Sequence, residues 1–296
     1  MIRVKKPIFI VGSGRCGSTI FHEMFSHHPN VSWLSFLCDS YPEKLYLNRY
    51  LMKMLNIPGL NYFLSNRIHP GECYTFWDHY CKGFSRPCRD LRSDDVTEKC
   101  RKNIIKAFEK LSTKNRNRLL IKITGWSRIG FLNEIFSDAK FIHVIRDGRA
   151  VVNSLINIGF WKGWQGPSNW RWGELSKENQ KIWEKYDESF FILAAIEWKL
   201  LVESVEKGKQ SLDNSRFYEI KYNDFIEHPV DSFQSVIDFC DLEWIDKFEK
   251  KIKRFNLKNM NYKWKNNIPL SQIKNLNEFL KEDLEKYGFE TNNIMI

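Results

Sequence analysis

The amino-acid sequence predicts an α/β fold, in which helices flank both faces of a central parallel β-sheet and helical or irregular insertions are added. Short apolar runs recur along the chain, and stretches with helical spacing separate them, as in a parallel sheet. The first run, PIFIV (7–11), ends in glycines, which is typical of a buried parallel strand. Hydrophobic residues make up 43% of the 296 residues, so a single large core is available.

The individual elements follow from this pattern in chain order. Buried strands are predicted over 7–11, 118–123, 140–145 and 216–222, and short helices over 18–25, 128–136 and 148–157. Longer helices are expected over 94–111, with Ser93 as the N-cap, and over 187–210 and 270–287. The aromatic segment 37–92 has no regular pattern, and we interpret it as an insertion over the sheet. No linker is evident, so we expect one domain over 1–296.

Composition limits the compartment and the partners. The net charge of +10 favours anionic partners, which include nucleic acid, anionic lipid and phosphorylated or sulfated small molecules. The early first strand leaves no room for a signal peptide, and no run of 18 apolar residues occurs, so we expect a cytoplasmic protein without a transmembrane segment. The seven cysteines include no C-x-x-C pair, and buried, reduced thiols are the simplest interpretation.

The stretch GSGRCGST (12–19) follows the first strand and opens the first helix. It keeps the spacing of a nucleotide-binding P-loop, but Ser18 occupies the position of the lysine that contacts the β- and γ-phosphates of ATP. Backbone amides, two hydroxyls and one guanidinium remain as donors, and they suit a single 5′-phosphate or phosphosulfate. The candidate phosphate-binding residues are Gly14, Arg15, Cys16, Gly17, Ser18 and Thr19. A plain glycine turn between strand and helix is the alternative.

A second motif, FIHVIRDGRAVVNS (141–154), also joins a strand to a helix. Arg146 ends the strand, where ligands of open α/β sheets bind, and Ser154 follows two turns into the helix. An arginine and a hydroxyl in this arrangement can hold a second, separate phosphate. Alternatively, Arg146 pairs with Asp147 at the start of the helix.

Together, the two motifs resemble those of the sulfotransferases that use 3′-phosphoadenosine 5′-phosphosulfate (PAPS). In that family, the first motif binds the 5′-phosphosulfate and the second holds the 3′-phosphate, here through Arg146 and Ser154. HPNV (28–31), IKYNDFIEHP (220–229) and KWKNNIP (263–269) resemble segments of the bacterial-type branch and of the tyrosylprotein sulfotransferases. The resemblance implies that Tyr222 packs near the adenine and that Lys263 and Trp264 belong to a loop that closes over the nucleotide. It also implies 3′,5′-adenosine diphosphate as the product and no metal.

The resemblance suggests two residues that stabilise charge. Lys122, near the end of a predicted strand, aligns with the lysine that neutralises the leaving oxygen in related enzymes, and Arg15 is expected to share this role. A lysine in an apolar strand needs a partner, since burying an unpaired ammonium is costly. Alternatively, Lys122 extends to a carboxylate at the edge of the sheet.

The sequence offers several candidates for the general base. Cytosolic sulfotransferases carry a histidine two residues after the strand lysine, and Thr124 occupies that position here. Tyrosylprotein sulfotransferases carry a glutamate shortly after HP-x-V, but SWLSF (32–36) contains no acid. We hypothesise that Asp39, the nearest carboxylate, is the base. The other candidates are Glu43, Glu72, Asp78 and His79.

The acceptor site is expected to involve FWKGWQGPSNWRWGE (160–174), which holds Trp161, Trp164, Trp170 and Trp172, together with part of 37–92. Indole rings can stack on sugars or other ring-containing acceptors, so a glycan, a lipid-linked sugar or a small hydroxylated metabolite all fit. A packed lid is the alternative role.

Three other functions are compatible with parts of the sequence. A P-loop kinase would need the missing lysine and acidic Mg²⁺ ligands. A nucleic-acid-binding protein would need clustered basic charge, whereas here the charge is spread along the chain, so we expect no nucleic-acid partner. A nucleotide-binding homologue with weak catalysis is the third. The sequence gives no indication of oligomeric state.

Overall fold

The structure is a computed structural model that describes residues 4–64, 67–85 and 89–290. Within these residues, five strands form one parallel sheet in the order β2-β3-β1-β4-β5. The strands are β1 (Ile8–Gly12), β2 (Val31–Trp33), β3 (Arg118–Thr124), β4 (Lys140–Ile145) and β5 (Phe217–Lys221). The fold class predicted from the sequence is confirmed.

Helices make up most of the remaining described chain. They are α1 (Ser18–Ser26), α2 (Phe36–Ser40), α3 (Leu45–Met54), α4 (Leu60–Leu64), α5 (Tyr74–Tyr80), α6 (Glu98–Leu111), α7 (Ile129–Ile135), α8 (Gly148–Ile156), α9 (Lys177–Lys185), α10 (Phe190–Lys209), α11 (Tyr222–Glu227), α12 (Pro229–Phe239), α13 (Asp246–Ile252), α14 (Trp264–Asn267), α15 (Leu270–Phe279) and α16 (Lys281–Lys286). Among the helices that the structure describes, none has both the length and the apolar character needed to cross a bilayer.

The sheet separates two apolar cores because successive side chains of a strand point to opposite faces. On one face, Phe9 of β1 packs with Phe108 of α6. On the other face, Ile10 belongs to the cluster that contains Phe21 of α1. A third cluster joins α8, α10 and α15. Every residue of β1 and β4 is buried, which explains their nearly continuous apolar sequence.

The central position of β1 determines where a ligand can bind. Because β1 pairs with β3 on one side and with β4 on the other, the loops that follow these three strands meet at one edge of the sheet. Strands β2 and β3 lie on one side of β1, and β4 and β5 lie on the other. The chain therefore changes direction across the sheet at β1, and ligands of open α/β sheets bind in the crevice at such a point.

Two helix predictions differ from the structure in their boundaries. Ser93 begins a short 3₁₀ turn (Ser93–Asp95), and α6 begins only at Glu98, where the Thr97 hydroxyl accepts the Cys100 N–H at 3.1 Å. Thr97 is therefore the cap, since a cap must immediately precede the first helical turn. The helix predicted over 270–287 is two helices, because the chain turns at Leu280 between α15 and α16.

The segment 37–92 is more regular than the sequence indicated. It contains most of α2 and all of α3, α4 and α5. These helices are short, so their apolar periodicity is weak within the sequence. The edge strand β2 was also not predicted, since it is only three residues long.

Two of the cysteines are not the free thiols that the sequence predicts. Cys81 and Cys100 form a disulfide that links the end of α5 to α6. The buried free cysteines of the described chain are Cys16, Cys38, Cys73 and Cys240, while Cys88 lies outside the described residues. The expectation was wrong for the bonded pair because a sequence spacing does not reveal which cysteines meet in space.

Candidate active site

The candidate phosphate-binding loop, residues 12–19, joins β1 to α1 at the carboxyl edge of the sheet. Gly17 has a φ of 94°, which an L-residue adopts only with strain. It also has no space for a side chain, since an added Cβ would lie 2.3 Å from Cδ2 of Tyr222. Arg15 likewise adopts a positive φ of 65°. The glycine is therefore required both by the turn and by the close approach of Tyr222.

The two sequence motifs meet at Arg15. Its Nε donates a hydrogen bond of 2.9 Å to the Ser154 hydroxyl of α8, and its carbonyl oxygen accepts one of 3.1 Å from Nη1 of Arg146. Asp147 instead caps α8, by accepting the Arg149 N–H, and forms an ion pair with the Arg149 guanidinium. The alternative pairing of Arg146 with Asp147 is therefore not observed.

Arg146 is held rigidly from several sides. Its guanidinium donates to Oδ1 of Asn261 at 3.2 Å and to the carbonyl oxygen of Met260 at 2.7 Å. Its Cζ lies 4.3 Å from the centre of the Tyr222 ring, which stacks against the cation. Burial lowers the pKa of Arg146, and no carboxylate forms an ion pair with it in the described chain. A buried arginine without an anionic partner is well suited to bind an anionic ligand.

Lys122 of β3 lies between the loop and a carboxylate. Its Nζ donates to Oγ1 of Thr19 at 2.8 Å and pairs with Oε1 of Glu72 at 2.9 Å. Glu72 also accepts a hydrogen bond of 2.9 Å from the Thr124 hydroxyl. Lys122 therefore has a carboxylate partner, as the alternative interpretation of the sequence required. The same ammonium also contacts Thr19, at the end of the loop 12–19. An ammonium has three donors, so one remains for a ligand.

The structure does not bring Asp39 to this cluster. Asp39 is exposed, and its Oδ1 accepts the Thr75 N–H at 2.8 Å at the start of α5. Its carboxylate thus satisfies a helix terminus, and Glu72 is the acid that contacts Lys122. The choice of Asp39 over Glu72 rested on distance along the chain, and in the fold of 37–92 it is Glu72 that lies beside Lys122. Asp78 is also engaged elsewhere, since Oδ1 accepts the Ser85 N–H.

A cavity of about 1310 Å³ opens between these residues. Its volume exceeds the roughly 300–1,000 Å³ typical of a site for one small molecule, so it can hold a nucleotide and part of a second substrate. The predicted nucleotide-binding residues that line it are Gly14, Arg15, Gly17, Ser18, Thr19, Arg146, Ser154, Tyr222 and Lys263.

Two other predicted binding residues are placed differently. Cys16 is fully buried within the loop, and burial raises the pKa of its thiol, so only its backbone is suited to an anion. Trp264 is 2% exposed and packs beneath the Arg149 guanidinium at 4.3 Å, outside the cavity. Lys263, one residue earlier, does line the cavity.

The sequence also matches a known family. A model of the sulfotransferase family matches residues 7–246. The chain belongs to the sulfotransferase family. This confirms the resemblance inferred from the two motifs.

Curated relatives of this family member are distant in sequence. Stf3 of Mycobacterium bovis, named an omega-hydroxy-beta-dihydromenaquinone-9 sulfotransferase, is 21% identical over an alignment that covers 96% of this chain and 75% of that protein. Protein-tyrosine sulfotransferase A of Caenorhabditis elegans is 23% identical over 117 residues, which cover 40% of this chain and 25% of that protein. The longer match is therefore with the mycobacterial relative.

Solved structures support the same fold. Sulfotransferase STF9 from Mycobacterium avium superposes with a TM-score of 0.59 at 16% identity, covering 97% of this chain and 78% of that one. The sulfotransferase domain from the curacin biosynthetic pathway gives a TM-score of 0.52 at 16% identity and covers 97% and 99% of the two chains.

The tryptophan-rich segment of this sulfotransferase-family chain forms one wall of the cavity. Trp161, Trp170 and Trp172 line it, whereas Trp164 is 56% exposed and does not. The segment contains only two short 3₁₀ turns, as its glycines and proline predict. Trp172 packs closely on Gly125, where an added Cβ would lie 2.9 Å from Cη2. The wall is thus next to the end of β3, which carries Lys122.

A buried acid supports this wall. Glu197 of α10 is 3% exposed, lines the cavity and accepts the indole N–H of Trp161 at 2.8 Å. Burial raises the pKa of Glu197 from 4.5 to about 7, and the bond from Trp161 offsets part of this effect. Sequence reasoning missed Glu197. Its signal was an acid inside the apolar stretch LAAIEW (193–198).

We expect Gly17→Ala to lower the free energy of unfolding by about 2 kcal/mol or more, because it combines strain at a positive φ with a clash against Tyr222. Gly14→Ala is the matched control, since nothing lies within 4 Å of its added Cβ. Urea unfolding of both variants measures the effect. Equal stability of the two variants would contradict the proposed packing of the loop.

Glu197→Gln should change how stability depends on pH. In the unfolded chain the carboxyl ionises above about 4.5, whereas in the fold it stays protonated up to about 7, so folding binds an extra proton within this window. Its contribution to stability therefore falls as pH rises through the window, by about 3 kcal/mol in total. Urea unfolding at about pH 5 and about pH 8 should show this loss in the wild type relative to Glu197→Gln. Parallel pH profiles would contradict it.

Proposed function

We propose that this chain transfers the sulfuryl group of PAPS to a hydroxyl of an acceptor and releases 3′,5′-adenosine diphosphate. The observation that carries the proposal is the pair of bonds at Arg15, which brings the loop after β1 and the motif after β4 to one cavity. Two candidate anion-binding motifs at one cavity suit a nucleotide with phosphate groups at both the 5′ and the 3′ positions.

The nucleotide half of the site is assigned as follows. The loop amides and the hydroxyls of Ser18 and Thr19 bind the 5′-phosphosulfate, and Arg146 with Ser154 binds the 3′-phosphate. Tyr222, which packs on Gly17, is close enough to the loop to contact the nucleoside. Lys263 also lines the cavity and adds a positive charge. Ser18 lacks the reach of the P-loop lysine, so ATP should bind poorly.

The chemical step is an in-line displacement at sulfur. The acceptor oxygen forms the new S–O bond while the bond between sulfur and the bridging phosphate oxygen breaks. Lys122, with its remaining donor, and Arg15 stabilise the negative charge that develops on the leaving phosphate. The acceptor hydroxyl loses its proton to Glu72, whose carboxylate lies 2.9 Å from Lys122 Nζ and therefore next to the reacting group.

The acceptor half of the cavity favours an apolar body that carries a hydroxyl. Its wall consists of Trp161, Trp170 and Trp172 with Phe160, and burial raises the pKa of the supporting Glu197 to about 7. Aromatic walls of this kind bind flat or apolar groups. The mycobacterial relative is named for a hydroxylated menaquinone, so a lipid or a small hydroxylated molecule is the acceptor class that we favour over a glycan.

Glu72→Gln should lower turnover of PAPS with a hydroxylated acceptor by about 10²–10⁴-fold, because the amide cannot accept the proton. Binding of 3′,5′-adenosine diphosphate should persist. Asp39→Asn is the control, since the amide oxygen can still accept the Thr75 N–H. The measurement is transfer of labelled sulfate from PAPS to a panel of hydroxylated lipids and small molecules.

The outcomes of that assay separate the proposals. Loss of turnover in Asp39→Asn with normal turnover in Glu72→Gln would reverse the assignment of the base. Nucleotide binding without transfer to any acceptor class would favour the catalytically weak homologue. Transfer of phosphate from ATP would favour the kinase.

A further inference from the structure

An apolar face on α3 and α4 is exposed to solvent. It consists of Tyr46, Tyr50, Met54, Ile57, Leu60 and Phe63, and we call it the α3–α4 face. Its members are between 37% and 59% exposed, while Leu45, Leu51 and Met52 on the other side of α3 are buried. Of the fourteen large apolar side chains exposed in the described part of the chain, eight lie within 36–63. Such a concentration is typical of an interaction surface.

The spacing shows that the face is continuous along α3. Tyr46, Tyr50 and Met54 are each four residues apart, which places them on one side of the helix. The rings of Tyr46 and Tyr50 contact each other, with centroids 6.4 Å apart. Since the opposite side of α3 packs against the protein, this helix is apolar on both sides, and only one side is covered.

The chain segment that carries this face is basic. The segment 44–67 contains Lys44, Arg49, Lys53 and Arg67 but neither aspartate nor glutamate. Lys53 Nζ lies 5.4 Å from the centre of the Tyr50 ring, and the Arg67 guanidinium lies 4.0 Å from that of Phe63. The cations therefore lie directly beside the apolar rings.

We propose that the α3–α4 face docks on the surface of an anionic lipid bilayer. Tyrosine rings prefer the headgroup level, aliphatic side chains enter the acyl boundary, and lysine and arginine contact the lipid phosphates. A second copy of the chain fits less well. A symmetric contact would place the same cations against each other, with no acid in 44–67 to pair with them.

The face leads directly to the active-site cavity. Four residues after Phe63 comes Arg67, and His69, Pro70 and Glu72 then line the cavity. His69 is exposed and pairs with Glu23, another lining residue, at 2.9 Å. Docking would therefore hold one rim of the cavity near the membrane surface. The proposal does not depend on sulfuryl transfer, because membrane docking can occur without turnover.

The test is co-sedimentation of the whole chain with vesicles. Vesicles made of equal parts phosphatidylglycerol and phosphatidylcholine should bind the wild type, and added salt should weaken binding. Tyr50→Glu/Met54→Glu should lower the partition coefficient at least about twentyfold, since each charge near an anionic surface changes binding about fivefold. Lys53→Gln/Arg67→Gln should cause a similar loss on the anionic vesicles.

Phe190→Glu/Leu270→Glu is the matched control. Both residues are exposed, at 38% and 54%, and both begin helices, where a glutamate is tolerated. This control should bind vesicles like the wild type, and all variants should bind 3′,5′-adenosine diphosphate equally if they fold.

Three results would overturn the proposal. The first is a wild type that does not sediment with anionic vesicles, and the second is Tyr50→Glu/Met54→Glu binding them as well as the control does. A stable dimer that Tyr50→Glu/Met54→Glu separates, in place of vesicle binding, would assign the face to a second copy. Failure of sulfuryl transfer alone would leave these vesicle measurements unchanged.

Discussion

The arrangement of the site depends on the bond between Arg146 and the carbonyl oxygen of Arg15. It links the loop after β1 to the end of β4, two segments about 130 residues apart, and Arg15 in turn bonds to Ser154. Because the guanidinium is buried and has no carboxylate partner in the described chain, its positive charge remains available for the anionic ligand that we propose. The glycine at position 17 and the ring of Tyr222 keep the loop in this position.

The positive charge of Lys122, unlike that of Arg146, is balanced by a carboxylate. Lys122 is buried, and its ion pair with Glu72 offsets the cost of that burial. The same pair places a cation and a proton acceptor side by side at the end of the phosphate-binding loop. The ion pair between Lys122 and Glu72 thus stabilises the buried lysine and also takes part in the proposed chemistry. This double role explains why a lysine lies within an apolar strand.

Contiguous motifs were enough to predict the fold class. The strand–loop–helix motifs around Arg15 and Arg146 indicated a parallel α/β sheet, which the structure confirms, and both motifs lie at one cavity. The contact between Glu72 and Lys122 was not predicted because it arises only through the helical packing of 37–92, which short helices do not reveal in the sequence. Glu197 was missed for a similar reason, since its contact with Trp161 joins residues 36 positions apart. The disulfide likewise depends on tertiary proximity.

The most direct test of this account is calorimetric binding of 3′,5′-adenosine diphosphate and of ATP to the wild type, Arg146→Ala and Ser154→Ala. The account predicts that the bisphosphate binds the wild type and that ATP binds much more weakly. Arg146→Ala should weaken bisphosphate binding by about 10–150-fold, as expected for the loss of a charge-assisted hydrogen bond, and Ser154→Ala by less. Equal binding of ATP, or bisphosphate binding that Arg146→Ala leaves unchanged, would contradict it.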